Sequence, residues 1–268
     1  MHDLRELSRK IRTLSIEAIY CARSGHPGGS LSAADILSIL YFEELQVDPS
    51  QPHWIDRDRF ILSKGHACPA LYAALSLKGF FPVDDVCGLR KIDHYLEGHP
   101  DVKIPGVDAP SGSLGMGLSQ GLGMALGARY GKRSFRTYVL LGDGDMQEGN
   151  TWEALLAAGH HKVASLTAIL DYNGLQGEDL VTKQMDYTPI AEKLTAFGWH
   201  VQEIDGHNID QLRAALAAAR SECDKPSFIL ARTVKGKGVG FMENQLSWHG
   251  SSTLTEEQYQ QSLKALEA

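Results

Sequence analysis

The stretch TYVLLGDGDMQEGNTWEALLAAGHHKVASLTAILDYNG (residues 137–174) decides the fold. Two apolar runs, 137–141 and 165–171, flank a segment of helical character. This order is typical of two parallel strands joined by a helix. A polar, glycine-rich turn follows each strand, and the two turns are Gly142-Asp143-Gly144 and Tyr172-Asn173-Gly174. Because parallel strands end at one edge of their sheet, we expect both turns to lie at the same edge, where such sheets bind ligands.

The same alternation extends in both directions along the chain. It predicts an α/β fold, a parallel β-sheet with helices on both faces. No repeat or linker divides the sequence, so we expect residues 1–268 to form a single domain. The predicted strands are 59–63, 137–141, 165–171, 199–204 and 227–233. The predicted helices are 3–24, one starting near Ser32 on a capping-box pattern, 67–78, 119–130, 150–160, 189–197 and 209–221.

Composition excludes several classes of protein. The 268 residues include 43% hydrophobic residues, which argues against disorder. The net charge is −7, which disfavours nucleic acid as a partner. No apolar run approaches the roughly 18 residues of a membrane span, and the charged start MHDLRELSRKIRTLS does not resemble a signal peptide. We therefore expect a cytoplasmic protein without a membrane or nucleic-acid partner.

The four cysteines lie far apart in the sequence. They are Cys21, Cys68, Cys87 and Cys223. No CxxC pair occurs, so we expect buried free thiols rather than a structural zinc site.

The two glycine-rich turns predict a cation site. Asp143 and Asn173 end neighbouring strands, and 28 residues separate Gly144 from Asn173. A carboxylate and an amide oxygen can share one hard cation. Mg²⁺ takes about six oxygen ligands at roughly 2.0–2.1 Å and prefers to share them with phosphate.

This pair of turns resembles the diphosphate-and-metal motif of thiamine-diphosphate enzymes. Further motifs narrow the resemblance to the amino-terminal, diphosphate-binding part of transketolases, in the same order and over about residues 10–250. These motifs are Ser24-Gly-His26-Pro-Gly-Gly29, Leu62-Ser-Lys-Gly-His66-Ala, Glu97-Gly-His99-Pro with Gly112-Ser-Leu-Gly115-Met-Gly-Leu-Ser-Gln-Gly, and Thr233-Val-Lys-Gly-Lys-Gly with Trp248-His249-Gly250.

The resemblance implies a set of site residues. The cofactors would be thiamine diphosphate and Mg²⁺, with Ca²⁺ or Mn²⁺ as possible substitutes. The implied metal ligands are Asp143, Asn173 and the carbonyl of Leu175. The implied catalytic residues are His26, His66, His99 and His249. The implied cofactor-binding residues are His66, Gly112, Ser113, Leu114, Gly142, Asp143, Gly144, Asn173, Lys235 and His249.

Other positions are interpreted separately. Glu148 matches a glutamate at the subunit interface of the family. Some residues differ from those common in the family: Lys64, Ser113, Tyr172 and the sequence after Gly250. These differences bear on the substrate rather than on the cofactor. The remaining histidines are interpreted as ordinary loop or core residues: His2, His53, His94, His160, His161, His200 and His207.

No segment resembles the pyrimidine-binding domain of transketolases. The resemblance therefore implies the amino-terminal subunit of a split, two-chain transketolase, inactive without a second subunit that carries the pyrimidine-binding and C-terminal domains. It would move a two-carbon ketol unit from a ketose phosphate to an aldose phosphate. The expected assembly is a heterotetramer of two copies of each chain.

Two other functions remain open from the sequence. One is a thiamine-dependent, 2-oxoacid decarboxylating subunit, although the GHPGG and SKGHA loops fit that group poorly. The other is a non-catalytic, cofactor-binding subunit. Within transketolases, a pentose phosphate, a branched pentulose phosphate and a sulfo-sugar are all open as substrates.

Overall fold

A computed structural model describes residues 3–177, 179–250 and 253–267. Five strands form one fully parallel sheet: β1 (Arg59–Leu62), β2 (Thr137–Gly142), β3 (Leu166–Tyr172), β6 (His200–Asp205) and β7 (Ser227–Arg232). Their order across the sheet is β1-β2-β3-β7-β6. Two short strands, β4 (Leu175–Gln176) and β5 (Asp179–Leu180), pair antiparallel beside this sheet. The prediction of a parallel α/β fold is confirmed.

Helices cover both faces of the sheet because neighbouring residues of each strand point to opposite sides. In β2, Leu140 packs into one core cluster, while Val139 and Leu141 pack into another. The first cluster includes residues of α1 (Leu4–Ala22), α2 (Pro27–Ile39), α3 (Cys68–Lys78) and α8 (Ile209–Ser221). The second includes residues of α4 (Gly117–Tyr130), α5 (Gly149–His160), α6 (Val181–Gln184) and α7 (Ile190–Ala196).

A last helix, α9 (Glu256–Glu267), packs on α1. Tyr20 stacks on Tyr259 with ring centroids 4.1 Å apart, and Leu266 is buried with Val239 and Met242. The helix therefore supports the loop that follows β7. None of the helices in the described residues is long and apolar enough to cross a membrane.

The prediction for the start of α2 is wrong. The helix begins at Pro27, five residues before Ser32, and proline suits a first helical position. Glycine suits this first turn because another part of the backbone passes close to it: a Cβ on Gly28 would lie 2.8 Å from the Trp248 carbonyl oxygen. Ser32 does not cap the helix; its hydroxyl donates to Asp171 at 2.6 Å.

The interpretation of the cysteines as buried free thiols is wrong for Cys21 and Cys87, which are paired, and for the burial of Cys223. Cys21, near the end of α1, forms a disulfide with Cys87, which lies in a short 3₁₀ turn (Val83–Gly88). Cys223 is exposed, and only Cys68 is the buried free thiol that was predicted. The pairing joins residues 66 positions apart, which spacing alone does not reveal.

Candidate functional site

The carboxyl edge of the sheet opens into a polar cleft with a cavity of about 160 Å³. Of the predicted site residues, only Ser113 does not line this cleft; it is exposed on the loop that carries Gly112 and Leu114. The predicted residues in the lining are His26, His66, His99, Gly112, Leu114, Gly142, Asp143, Gly144, Asn173, Leu175, Lys235 and His249. Gly29, Lys64, Asp145 and Gln176 line it as well. Glu148 lies exposed at the start of α5, outside this lining.

Asp143 places a buried carboxylate on the cleft floor, where its residue is 4% exposed. One oxygen, Oδ2, accepts hydrogen bonds from the backbone N–H groups of Asn173 and Gly174 at 3.0 and 3.1 Å. The other, Oδ1, accepts from the Tyr187 hydroxyl at 2.7 Å. Burial raises the pKa of Asp143 to about 6, an effect the Tyr187 hydrogen bond opposes. A buried carboxylate held by neutral donors suits a bound cation.

Two further oxygens belong to residues that line the same cleft, Asn173 and Leu175. The Asn173 side-chain oxygen accepts from the Leu175 N–H at 3.2 Å, and the Leu175 carbonyl lies 3.4 Å from the Lys235 ammonium. Across residues 3–177, 179–250 and 253–267, no three His, Cys, Asp or Glu side chains group as a metal site. The available donors are thus a carboxylate, an amide and a carbonyl, which are hard oxygen ligands that fit Mg²⁺ or Ca²⁺ completed by ligand oxygens.

Three histidine rings form a cluster above the floor. The ring centroids of His26 and His66 are 5.1 Å apart, those of His66 and His249 5.4 Å, and those of His26 and His249 6.0 Å. Burial, aided by nearby cationic side chains, lowers the pKa of His26 and of His249 to about 4 and holds the pKa of His66 well below its ordinary value. The rings are therefore neutral near pH 7, and each can both donate and accept a hydrogen bond.

Lys235 determines the tautomer of His249. Its ammonium lies 3.0 Å from His249 Nδ1. Burial, with the Lys64 charge, lowers the pKa of Lys235 to about 8, so the protonated form still dominates near pH 7. Because an ammonium can only donate, Nδ1 accepts and the ring proton is on Nε2.

His99 is the most accessible of the four predicted catalytic histidines. It is exposed, whereas His26, His66 and His249 are half-buried. Gly112, with φ of 136°, lets its loop pass beside this ring, because a Cβ there would lie 2.7 Å from His99 Cδ2. His99 is therefore placed at the mouth of the cleft.

Arg90 links the loop that carries His26 to the loop that carries His99. The sequence patterns do not single out this residue. Its guanidinium donates to the Ser24 hydroxyl at 2.6 Å and lies 3.5 Å from His26 Nδ1. A Cβ on Gly98 would lie 2.8 Å from Arg90 Nε. The arginine thus holds the segment before α2 against the segment that carries His99.

A buried ion pair beneath the cleft is also not indicated by the sequence motifs. The Lys64 ammonium pairs with Asp171, which further accepts from the hydroxyls of Ser32 and Thr233. Burial raises the pKa of Asp171, but Lys64 and these donors outweigh it and hold the pKa below its ordinary value. Lys64, a departure from the common family residue, thus joins the loop after β1 to the end of β3.

Asp145 fixes the glycine-rich loop to the end of β2. Its carboxylate accepts from the backbone N–H groups of Gly115 and Gly142 at 2.8 and 2.9 Å and from the Ser63 hydroxyl at 2.6 Å. Asp145 is the second aspartate of the GDGD sequence, and its place in that motif could have indicated this structural role.

Of the histidines interpreted as ordinary residues, those that the structure describes line no part of the cleft. His207 is a structural residue: Nδ1 lies 2.7 Å from Asp35, and Nε2 accepts from the Val234 N–H at 2.8 Å. It thereby supports the segment that carries Lys235. His2 lies outside the described residues.

The neutral histidines give a pH prediction. We expect the ring resonances of His26 and His249 to titrate with midpoints near 4 in the folded chain and near 6.5 in urea. Since the unfolded state binds these protons first, the contribution of the two rings to stability is present above pH 6.5 and is lost as pH falls from about 6.5 to about 4. Proton NMR titration of single His→Gln variants assigns the signals. A folded-state midpoint above pH 6 would contradict the prediction.

The fold and the cleft together define a class: an α/β domain that binds its ligand at the carboxyl edge of a parallel sheet. The family model described as transketolase, thiamine diphosphate binding domain, matches residues 4–266, and the chain belongs to this family. The resemblance found in the motifs is confirmed.

Two relatives match along nearly their whole length. The 6-deoxy-6-sulfo-D-fructose transketolase subunit SqwG of Clostridium sp. (strain MSTE9) is 42% identical over 266 residues, which is 99% of this chain and 96% of the relative. An apulose-4-phosphate transketolase subunit of Phocaeicola vulgatus is 38% identical over 257 residues, 96% and 91% of the two chains. Transketolase from Campylobacter jejuni superposes with a TM-score of 0.93 and 33% identity, but this chain covers only 42% of it.

Proposed function

We propose that this chain is the amino-terminal subunit of a two-chain transketolase that uses thiamine diphosphate and Mg²⁺. The observation that carries the proposal is the convergence of Asp143, Asn173, the Leu175 carbonyl and four histidines in one cleft of a transketolase-family domain. The reaction would transfer a two-carbon ketol unit from a ketose to an aldose.

The cleft residues divide into two groups in this proposal. Asp143, Asn173 and the Leu175 carbonyl would hold the cation, while Gly142 and Gly144 would let the backbone approach the diphosphate. When bound, thiamine diphosphate supplies the electron sink that carbon–carbon bond cleavage requires.

The histidines would act on the bound groups. His66 and His249 lie beside Lys64 and Lys235 and would contact the cofactor end of the cleft. His26 and the accessible His99 would hold hydroxyl groups of the sugar and move protons there. Neutral rings suit the binding of hydroxyl groups, because each ring can donate one hydrogen bond and accept another near pH 7.

A second subunit is part of the proposal. Both full-length relatives are named as subunits, and the chain spans about two fifths of the single-chain enzyme from Campylobacter jejuni. The partner would supply the pyrimidine-binding and C-terminal domains in a heterotetramer, with the exposed Glu148 near the contact between subunits.

The substrate class follows from the names of the relatives. One is named for a sulfonated ketose and the other for a phosphorylated one. We propose a donor ketose with a terminal anionic group, either phosphate or sulfonate. The test is an assay of the reconstituted pair on xylulose 5-phosphate, fructose 6-phosphate, apulose 4-phosphate and 6-deoxy-6-sulfofructose. Failure on every anionic ketose, with release of carbon dioxide from a 2-oxoacid, would overturn the proposal.

Replacing His99 separates substrate binding from cofactor binding. We expect His99→Ala to raise KM for the donor, or to lower kcat, by about tenfold, because one hydrogen bond to the sugar is lost. Thiamine diphosphate affinity, measured by calorimetry, should stay within about twofold. The exposed His53, which lies outside the cleft lining, provides the matched control, and His53→Ala should leave both quantities unchanged. Loss of cofactor affinity with normal donor kinetics would contradict this division of roles.

A further inference from the structure

Tyr187 contacts the floor of the cleft from outside its lining. The residue is 4% exposed, and its hydroxyl donates to Asp143 Oδ1 at 2.7 Å. None of the sequence motifs includes this tyrosine, which lies 44 positions from Asp143. The contact joins the loop before α7 to the turn after β2.

The three hydrogen bonds on Asp143 leave its two oxygens unequal. A carboxylate oxygen offers about two acceptor positions. Oδ2 accepts two backbone N–H groups, from Asn173 and Gly174, which uses both positions. Among the described residues, Oδ1 accepts only from Tyr187, which leaves its second acceptor position open. These donors limit the rotation of the carboxylate. They also leave Oδ1, rather than Oδ2, available to bind a cation.

The segment that presents Tyr187 is itself held in place. The Lys193 ammonium donates to the carbonyls of Tyr187 and Thr188 at 2.9 and 3.1 Å. The Gln147 amide donates to the Met185 carbonyl at 3.1 Å, and the Tyr187 ring packs in the core cluster beneath α5 and α7. The hydroxyl is therefore a fixed donor rather than a mobile one.

We propose that Tyr187 is a positioning residue for the cation site, where it holds Asp143 so that Oδ1 faces the bound cation. The inference rests on the proposed function, in which Asp143 ligates that cation. Tyr187 does not touch the cation, the cofactor or the sugar; it acts through the carboxylate.

The test measures cation binding directly. Mn²⁺ binding to the full chain, in the presence of thiamine diphosphate, is followed by electron paramagnetic resonance of free Mn²⁺. We expect Tyr187→Phe to raise the Mn²⁺ Kd by about fivefold to tenfold, the effect of one hydrogen bond. Circular dichroism melting checks that the variant folds, since the phenyl ring keeps its packing.

Tyr138→Phe is the matched control. Tyr138 is a buried tyrosine on β2 whose hydroxyl donates to a carboxylate oxygen, that of Glu44, at 2.6 Å. The control removes the same group from a site outside the cleft lining, so the Mn²⁺ Kd should not change. A rise in Kd for Tyr187→Phe alone supports the positioning role.

Asp143→Asn distinguishes failure of the inference from failure of the proposed function. If Asp143→Asn abolishes Mn²⁺ binding while Tyr187→Phe binds like the wild type, the positioning role is overturned and the cation site stands. If the wild-type chain does not bind Mn²⁺, or Asp143→Asn binds it normally, both are overturned. Equal losses for Tyr187→Phe and Tyr138→Phe would mean a general effect of packing and would also overturn the positioning role.

Discussion

Asp143→Asn is expected to abolish the magnesium-dependent binding of thiamine diphosphate. The substitution removes the one carboxylate of the proposed cation site but keeps its shape. The amide oxygen can still accept from the N–H groups of Asn173 and Gly174, and the new NH₂ group can donate to the Tyr187 oxygen. Loss of a buried charge partner costs about 2–5 kcal/mol, so affinity should fall by about thirtyfold to several thousandfold.

Calorimetric titration of thiamine diphosphate in Mg²⁺ measures this loss. Asp210→Asn provides the control, because it removes one charge from an exposed position on α8. Asp143→Ala is the poorer variant: it would leave two N–H groups and a hydroxyl without partners in a buried site, at about 1–3 kcal/mol each. Unchanged affinity in folded Asp143→Asn would contradict the assignment of Asp143 as a ligand.

The chain alone is expected to show no ketol transfer. It covers 42% of the Campylobacter jejuni transketolase, and the family model for the thiamine diphosphate binding domain matches residues 4–266. In the proposed function the cleft would bind the diphosphate and cation end of the cofactor, and the second subunit would bind the other end. Met116 and Leu156 are 45% and 55% exposed beside α4 and on α5, and exposed apolar surface of this kind often marks an interface.

The experiment compares the chain, its partner and their mixture. A suitable partner is a second chain that carries the pyrimidine-binding and C-terminal domains of a transketolase. Ketol transfer should be undetectable for either chain and restored by mixing, and light scattering should show a mass of two copies of each. Robust turnover by the lone chain would refute the two-subunit proposal, and a candidate that neither binds nor restores activity would exclude that chain as the partner.

The strands and the position of the cleft could be predicted from local pattern. The buried strands are apolar along their length, as Val139, Leu140 and Leu141 illustrate, because both faces of the sheet are covered. The polar turns then had to meet at the carboxyl edge, and Asp143 and Asn173 do so. The strands and their polar turns depend on residues that are adjacent in the sequence, so a local pattern is enough to predict them.

What could not be predicted depends on partners far along the chain. Ser32 looks like a helix cap locally, but its partner is Asp171, which lies 139 positions away. Lys64 pairs with Asp171 across 107 positions, and Tyr187 reaches Asp143 from a loop with no motif of its own. Local propensity is a weak prior in such cases, because tertiary contacts override it.

The residues that line the cleft run from His26 to His249 and enter it from separate loops, so no local segment contains the site. Only the completed sheet brings them together, and a ligand in the cleft therefore binds the native domain and not its unfolded chain. Mass action then adds about 2.7 kcal/mol to the unfolding free energy at a ligand concentration of a hundred times Kd. Since proteases cleave the open form, the supply of vitamin-derived cofactor in the cell would also govern how long this subunit survives before it is degraded.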